Sequence, residues 1–313
     1  MSERRIAITM GDPGGIGPEV TVKALRDVSG EYGTVYFSII GDGKVIEKAL
    51  KLTGLSLSGR VEVEEPFTLR EVTAGKPSRE GGRASYEYIR YAAQGCVEGK
   101  FHAMVTAPIS KESLRMAGLK WPGHTEMLAE LTHSREYAMV LVGRPLRVLL
   151  VTTHLALREV PGILTTDLIY RKIMLAHRAL ELFGVETPRI GVAGLNPHAG
   201  EGGLFGREEI DVIRPAIERA TEAGVAVEGP IPPDVIFRLA YRGEFDMVVS
   251  MYHDQGLIPL KMIAFDRGVN ITVGLPIIRT SPDHGTAYDI AWKGLASPES
   301  MTEAVKLALE LTN

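Results

Sequence analysis

Three histidines stand directly after apolar stretches of the sequence, and together they indicate a metal site. His154 follows "RVLLVTT", His198 follows "RIGVAGLNP" and His253 follows "DMVVSMY". Neutral imidazole is a frequent ligand of divalent metals, and three protein ligands leave coordination positions open for a substrate. Each histidine taken alone is more often an ordinary loop residue or a hydrogen-bonded partner, because these positions lack the short spacing of a helical metal motif. The sequence therefore predicts a shared metal if the fold brings the three together.

A fourth histidine lies in a pattern that favours anion binding. In "WPGHTEMLAELT", His124 and Thr125 precede a helical pattern. Backbone N–H groups, an imidazole and a hydroxyl can converge on a negative charge at the start of such a helix. The alternative interpretation is that Thr125 simply caps the helix.

A second candidate for binding an anion or a nucleotide is the stretch "NITVGLPIIRTSPDHGTAYDIAWKG". Its pattern predicts a strand that leads to Arg279, then a turn, and then a helix that opens with His284, Gly285 and Thr286. A cation beside a helix start is a suitable setting for a charged ligand.

The amino-terminal loop "MGDPGGIGPEV" follows an apolar run and precedes a helical pattern with Pro18 near its start. Its glycines, Gly11, Gly14, Gly15 and Gly17, do not match G-x-G-x-x-G. A conventional dinucleotide pyrophosphate site is therefore not expected here. The glycines would still allow the backbone to approach a ligand closely, so we expect the loop to line a cleft.

Short apolar runs alternate with longer helical patterns along the chain. The runs are "RIAITM", "TVYFSII", "AMVTA" and the three that precede the histidines. This alternation predicts an α/β fold with a mainly parallel sheet covered by helices, and 313 residues favour two domains over one. In open α/β sheets ligands bind beyond the carboxyl ends of the strands, where the three histidines stand.

Composition excludes several classes of function. The formal net charge is −4 and the basic residues are scattered, so nucleic acid is not an expected partner. We expect no membrane partner, because the longest apolar runs are far shorter than a bilayer span and the amino terminus lacks a signal-peptide core. A single cysteine, Cys96, is interpreted as structural and fits a cytoplasmic protein.

Several long motifs carry a resemblance to a known family. They are "MGDPGGIGPEV", "GHTEML", "THLALRE", "NPHAGEGGLFGREE", "GPIPPD", "YHDQGLIPLK" and "RGVNITVGLPIIRTSPDHGTAYDIAWKG". Together they resemble the 4-hydroxythreonine-4-phosphate dehydrogenase (PdxA) family over nearly the whole chain. The last motif is also weakly similar to isocitrate and isopropylmalate dehydrogenases, which bind NAD without the usual glycine fingerprint.

The resemblance implies two αβα domains that flank a cleft. The expected first domain comprises residues 1–125 and 255–313, and the second, dimer-forming domain comprises 126–254. The resemblance further implies a homodimer whose active sites are shared between subunits. The implied cofactors are NAD, with a tentative site at His284, Gly285 and Thr286, and one divalent metal such as Zn, Mg, Mn, Co or Ni. The implied metal ligands are His154, His198 and His253.

The resemblance also implies substrate contacts, which match His124, Thr125, Lys261, Asn270 and Arg279. The expected reaction is oxidation at C3 of a 4-phosphorylated 3-hydroxy acid, with hydride transfer to NAD and loss of carbon dioxide. Arginine and lysine suit carboxylate and phosphate oxygens. The catalytic assignment rests on Lys261 and on Asp234.

The sequence leaves two candidates for the general base. They are Asp234 in "GPIPPD" and Asp254, and Asp254 is equally well read as a partner that orients a ligating histidine.

Two branches of the family differ in substrate. The motifs are more similar to the branch that oxidises 4-phospho-D-threonate or 4-phospho-D-erythronate to dihydroxyacetone phosphate and carbon dioxide, in carbohydrate metabolism. The other branch oxidises 4-phosphooxy-L-threonine in the biosynthesis of pyridoxal phosphate. A third hypothesis is a non-catalytic, metal-dependent protein that binds a phosphorylated metabolite, and turnover of NAD would exclude it.

Overall fold

A computed structural model describes residues 3–57 and 59–312. The strands are β1 Arg5–Thr9, β2 Tyr36–Ile40, β3 Val61–Glu64, β4 Ala103–Thr106, β5 Ala138–Gly143, β6 Leu146–Leu150, β7 Ile190–Ala193, β8 Val227–Ile231, β9 Met247–Ser250, β10 Val269–Val273 and β11 Arg279–Pro282. The α-helices are α1 Gly17–Ser29, α2 Gly43–Thr53, α3 Arg79–Val97, α4 Lys111–Met116, α5 His124–Leu131, α6 Val160–Ile163, α7 Thr166–Leu182, α8 Arg214–Glu222, α9 Pro233–Tyr241, α10 His253–Ala264 and α11 Glu299–Glu310.

The chain divides into two compact units. The first comprises Met1–Arg135 and Val269–Asn313, and the second comprises Glu136–Gly268. The domain joints expected from the sequence lie after residues 125 and 254, and that division stays a prediction.

The first unit is built on a mainly parallel sheet. Its strand order is β3-β2-β1-β4-β11-β10, and β10 and β11 form an antiparallel pair. Ile6, Ala7 and Ile8 of the inner strand β1 are completely buried, because helices cover both faces of a parallel sheet. The observed α/β class confirms the expected fold class.

The second unit has the strand order β5-β6-β9-β7-β8, with an antiparallel β5–β6 hairpin and parallel pairs elsewhere. Its core includes Leu141, Val148, Leu150, Val248 and Leu260. Since β6 and β9 are parallel neighbours, with Leu150 opposite Ser250, their carboxyl ends lie side by side. This edge carries two of the histidines.

Most elements expected from the sequence are confirmed. The six apolar runs form β1, β2, β4, β6, β7 and β9, and "NITVGL" begins in β10. Strands β3, β5, β8 and β11 were not anticipated. Strand β3, "VEVE", carries two glutamates and lies at the sheet edge with no fully buried residue, so it lacks the apolar signal of an inner strand.

The helix expected to open at His284 is wrong. Residues 283–294 instead form bends and turns, and the next helix begins at Glu299. The last helix, α11, begins at Glu299, directly after Pro298 at the cap position. Ser297 Oγ accepts a hydrogen bond from the amide of Glu299, at 3.3 Å.

Within residues 3–57 and 59–312, the helices are all too short or too polar to span a bilayer.

Candidate active site

His154 and His253 lie together at the carboxyl edge of the second unit's sheet. The first follows β6 and the second begins α10 directly after β9. Their ring centroids are 5.8 Å apart with a tilt of 40°. Both rings line a pocket of about 520 Å³, together with Thr153, Tyr252 and Asp254. The parallel pairing of β6 and β9 thus brings two of the three predicted metal ligands into one cavity.

The separation of the two rings can be compared with that of imidazoles that share a cation. Zn–N bonds of about 2.0–2.1 Å and a tetrahedral angle place two such ring centroids roughly 5 Å apart, slightly closer than the 5.8 Å between His154 and His253. His253 Nδ1 lies 2.7 Å from Asp254 Oδ1, so the carboxylate orients the ring through this nitrogen. Asp254 is exposed and touches the ring directly, which matches the orienting role more closely than that of a general base.

His198 does not join this pair. Its side chain is 67% exposed, and its ring lies 6.3 Å from that of Phe205. In the parts of the chain that the structure describes, no group of three or more His, Cys, Asp or Glu side chains is close enough to hold a metal. A single chain therefore brings together two of the three predicted ligands and not the third.

His198 sits in a left-handed turn. Residues 198–202 all have positive φ angles, from 43° to 80°, and three of them are not glycine. A left-handed conformation costs a non-glycine residue roughly 1–2 kcal/mol, so such a run persists only where neighbouring contacts hold it.

The buried side chain of Glu209 fixes the backbone directly before this turn. Its side chain is 1% exposed, and its carboxylate accepts hydrogen bonds from the amides of Leu195 and Asn196, at 2.8 and 2.7 Å, and from Asn196 Nδ2 at 3.0 Å. Asn196 Nδ2 also donates to Glu208 at 2.7 Å. Sequence reasoning missed Glu209, although three nearby glycines in "NPHAGEGG" already signal an irregular backbone.

The strain in this turn can be measured. Ala199 has a φ of 52°, and we expect Ala199→Gly to raise the free energy of unfolding by about 0.5–1 kcal/mol. Glycine removes roughly 1–2 kcal/mol of left-handed strain and loses about 0.5–1 kcal/mol to its freer unfolded chain. Urea denaturation measures the difference in the free energy of unfolding between this variant and the wild type. The matched control is Ala223→Gly, at a φ of −79°, which should lower stability. Equal losses in both variants would contradict the assignment of strain.

In the first unit, Arg279 is a buried cation surrounded by neutral hydroxyl groups. It is 2% exposed; Nε and Nη2 donate to Thr106 Oγ1 at 3.0 and 2.7 Å, and Nη1 donates to Thr272 Oγ1 at 3.1 Å. Among the described residues no carboxylate forms a salt bridge with it. Burial lowers the pKa of Arg279 to about 9, an effect that the nearby Glu126 partly opposes. A buried guanidinium without an ionic partner is suited to a ligand that brings a negative charge.

His124 and Asn270 contribute further polar atoms to this unit. His124 is the first residue of α5, and Gly123 occupies the cap position without a side-chain hydrogen bond, so the alternative that Thr125 caps the helix is wrong. Burial and the neighbouring Arg279 lower the pKa of His124 well below its usual value, so the imidazole is neutral at pH 7. His124 Nε2 and Asn270 Oδ1 are buried without a hydrogen-bond partner. Such atoms call for a polar ligand or water.

Two predicted catalytic residues lie in the second unit. Lys261 is on α10, with Nζ 5.8 Å from the ring centroid of Phe265. Asp234 is exposed in the first turn of α9. Their catalytic roles stay predictions.

The expected cofactor residues lie in the irregular segment 283–294 of the first unit. His284 Nδ1 is 3.1 Å from the carbonyl oxygen of Gly285, while Nε2 is buried without a partner. Burial lowers the pKa of His284. Thr286 packs against Gly15 of the amino-terminal loop.

Comparison with known proteins gives matches along almost the whole chain. The family model "Pyridoxal phosphate biosynthetic protein PdxA" matches residues 34–308. A D-threonate 4-phosphate dehydrogenase from Salmonella typhimurium is 46% identical, covering 99% of this chain and 100% of that protein. A 4-hydroxythreonine-4-phosphate dehydrogenase from Desulfosudis oleivorans is 49% identical, covering 97% of this chain and 95% of that protein.

Solved structures of similar proteins also match this chain along almost its whole length. The crystal structure of a 4-hydroxythreonine-4-phosphate dehydrogenase from Klebsiella pneumoniae is 42% identical, with a TM-score of 0.89 over 99% of this chain and 98% of that chain. A β-decarboxylating dehydrogenase from Thermococcus kodakarensis, 17% identical with a TM-score of 0.51, covers 97% of this chain and 82% of that one and shares the fold alone. The expected α/β fold class is thereby shared with a β-decarboxylating dehydrogenase. Because the matching family and the curated relatives extend over nearly all of the sequence, the chain belongs to the PdxA family.

Proposed function

We propose that this protein is an NAD-dependent, divalent-metal-dependent dehydrogenase of a 4-phosphorylated 3-hydroxy acid. The observation that carries the proposal is the buried Arg279, whose described partners are the hydroxyl groups of Thr106 and Thr272. Relatives named as dehydrogenases of phosphorylated hydroxy acids, at 46–49% identity, support this reading. The fold alone does not select an activity.

The anionic end of the substrate is assigned to the first unit. Arg279 would donate to a phosphate or carboxylate oxygen, and Asn270 Oδ1 would accept from a substrate hydroxyl. The neutral imidazole of His124, with Nε2 unpartnered, is available as a further hydrogen-bonding group. Thr125 and Lys261 are assigned to substrate contacts by family resemblance.

The divalent metal is assigned to His154 and His253, whose ring centroids lie 5.8 Å apart in one pocket. A cation bound there supplies a Lewis acid for a hydroxyl or carbonyl oxygen. The chain's own residues would take the hydroxyl proton, direct the C3 hydride to NAD and retain the keto acid until carbon dioxide leaves. Asp234 is the proposed base, and Asp254 orients His253.

A homodimer would supply His198, the third ligand, from a second copy. Helix α10 begins at His253 and exposes Ile258, Met262 and Phe265, which are 59%, 82% and 72% accessible. Spacings of four and three residues place these side chains on one face of α10 and its end. An apolar face that begins beside a metal ligand is suited to a partner that completes the site.

We propose a cytoplasmic location. Cys96 is mostly buried, and burial raises its pKa to about 12, so the thiol is unreactive. A structural thiol of this kind suits a reducing compartment.

The preferred substrate is 4-phospho-D-threonate or 4-phospho-D-erythronate, oxidised and decarboxylated to dihydroxyacetone phosphate. The alternative is 4-phosphooxy-L-threonine, and relatives named for each activity are about equally similar to this chain. The two substrates differ mainly at C2, so few side chains need to change between them.

The test is NADH formation by metal-replete protein with each of the three substrates, beside a control treated with EDTA. Faster turnover of a sugar-acid phosphate, lost with EDTA, is the expected result. Preference for 4-phosphooxy-L-threonine would replace the substrate and place the enzyme in pyridoxal phosphate synthesis. No NADH formation with any of the three substrates, or full activity without metal, would contradict the proposal.

A further inference from the structure

The amino-terminal glycine loop packs against the segment 283–294. The amide of Ile16 donates to the carbonyl oxygen of Thr286 at 3.0 Å, and Trp292 Nε1 donates to the carbonyl oxygen of Pro13 at 3.0 Å. The amide of Trp292 also donates to the buried carboxylate of Glu19. Two motifs that are far apart in the sequence therefore form one structure.

The glycines of this loop make room for the protein's own backbone. A Cβ atom at Gly11 would lie 2.3 Å from the carbonyl oxygen of Pro108, one at Gly14 would lie 2.5 Å from that of Thr73, and one at Gly15 would lie 2.9 Å from that of Thr286. At these three positions the absence of a Cβ atom lets other parts of the protein's own backbone pack closely.

The loop's amide groups are also engaged internally. The amide of Asp12 donates to Pro108 at 2.9 Å, that of Gly14 to Asp12 Oδ1 at 2.8 Å, and that of Gly15 to the carbonyl oxygen of Asp12 at 3.0 Å. A phosphate cradle needs such amides directed at a ligand. This loop supports a neighbouring segment instead.

Asp12 is the centre of that support. The side chain is completely buried, and Oδ2 accepts hydrogen bonds from Ser113 Oγ at 2.7 Å and Tyr288 Oη at 2.8 Å. Burial raises the pKa of Tyr288 to about 12, so the phenol keeps the proton that it donates. The carboxylate thereby links the glycine loop, helix α4 and the middle of the segment 283–294.

The supported segment is strained on both sides of Tyr288. Ala287 and Trp292 have φ angles of 41° and 62°, in the left-handed region that non-glycine residues rarely adopt. Backbone in this region persists where surrounding contacts hold it, and it is concentrated at functional sites. The buried, unpartnered Nε2 of His284 lies in the same segment.

We infer that Asp12 and Tyr288 are positioning residues that hold the segment 283–294 in the conformation that receives the dinucleotide cofactor. The inference rests on the proposed NAD-dependent function and on the cofactor site expected at His284, Gly285 and Thr286. Neither residue needs to touch the cofactor, because the hydrogen bond fixes the backbone that does.

Fluorescence titration with NADH tests the inference on the full-length protein. Tyr288→Phe removes the hydrogen bond to Asp12 and the one shared with Ser113 Oγ at 3.2 Å, and we expect the dissociation constant for NADH to rise roughly 5–10-fold. The value of kcat at saturating NAD should change less than about twofold, because the bond positions the segment rather than the reacting atoms. The matched control is Tyr88→Phe, which removes a buried hydroxyl that donates to the carbonyl oxygen of Phe67. Tyr88→Phe should leave the dissociation constant unchanged.

A second variant covers the possibility that Tyr288→Phe misfolds. Asp12→Asn keeps Oδ1 as the acceptor for Gly14 and replaces Oδ2 with an amide nitrogen, so the same loss of NADH affinity is expected. Unchanged affinity in a folded variant would overturn the inference and leave the proposed function intact. Wild-type protein that does not bind NADH would overturn both.

Discussion

Replacing Arg279 by methionine is expected to lower kcat/KM by about 10²–10³-fold. The guanidinium is the buried cation of the first unit, and a substrate phosphate or carboxylate would accept charge-assisted hydrogen bonds from it, each contributing roughly 1.5–3 kcal/mol. Steady-state kinetics with the preferred substrate measures the loss, and KM should carry most of it if the ground state binds the same oxygen.

The stability of Arg279→Met separates a binding role from a structural one. Burial lowers the pKa of Arg279 to about 9, so the folded protein holds this proton less tightly than the unfolded chain. The buried charge therefore lowers folding stability at neutral pH. An apolar side chain of similar length should leave the free energy of unfolding unchanged or raise it.

Arg147→Met is the matched control, because Arg147 is partly buried over the ring of Phe183 in the second unit. Arg147→Met should change the free energy of unfolding and leave the KM for the substrate unaltered. Arg279→Met with wild-type kcat/KM, or with a collapse of stability, would contradict the assignment to substrate binding.

His253→Ala is expected to abolish metal binding at the histidine pair and to lower activity by about 10³-fold, because a Lewis acid contributes several kcal/mol to stabilising developing charge. Metal content after dialysis and kcat report the two effects separately. His177→Ala is the control, since His177 lies on α7 and pairs with Glu181 at 3.6 Å. Metal retained at the wild-type level in His253→Ala would contradict the assignment.

Mixing inactive variants tests whether the third ligand comes from a second copy. If His154 and His253 of one chain share a metal with His198 of another, a mixture of His154→Ala and His198→Ala contains dimers with one complete site. Random pairing gives about a quarter of wild-type activity. A mixture of His154→Ala and His253→Ala has no complete site in any pairing. Absence of recovery in the first mixture would contradict the shared site.

The sequence alone determined the fold class and the placement of most inner strands. Inner parallel strands are buried on both faces, so "RIAITM" and "DMVVSMY" appear as continuous apolar runs. The same logic placed His154 and His253 at strand ends. His124 and Arg279 were identified through local patterns that favour anion binding, and Asn270 was identified through family motifs.

Tertiary structure decided what the local pattern could not express. The charged edge strand β3 and the short strand β11 depend on pairing partners that are distant in sequence. The segment after His284 has the composition of a helix, yet it forms turns because Asp12, Glu19 and Pro13 bind it from another part of the chain. Long-range hydrogen bonds of this kind override local propensity.

The glycine loop and the turn at His198 also separate what the sequence determined from what the tertiary structure decided. The sequence showed that both are rich in glycine, but glycine serves equally well beside a ligand or beside the protein's own backbone. Only the folded chain reveals that Pro108 and Thr73 fill the space at Gly11 and Gly14, and that Glu209 fixes the backbone just before the left-handed residues 198–202. Residue types limited the chemistry, and contacts between distant segments decided where it is placed, because burial and hydrogen-bond partners exist only after the chain has folded.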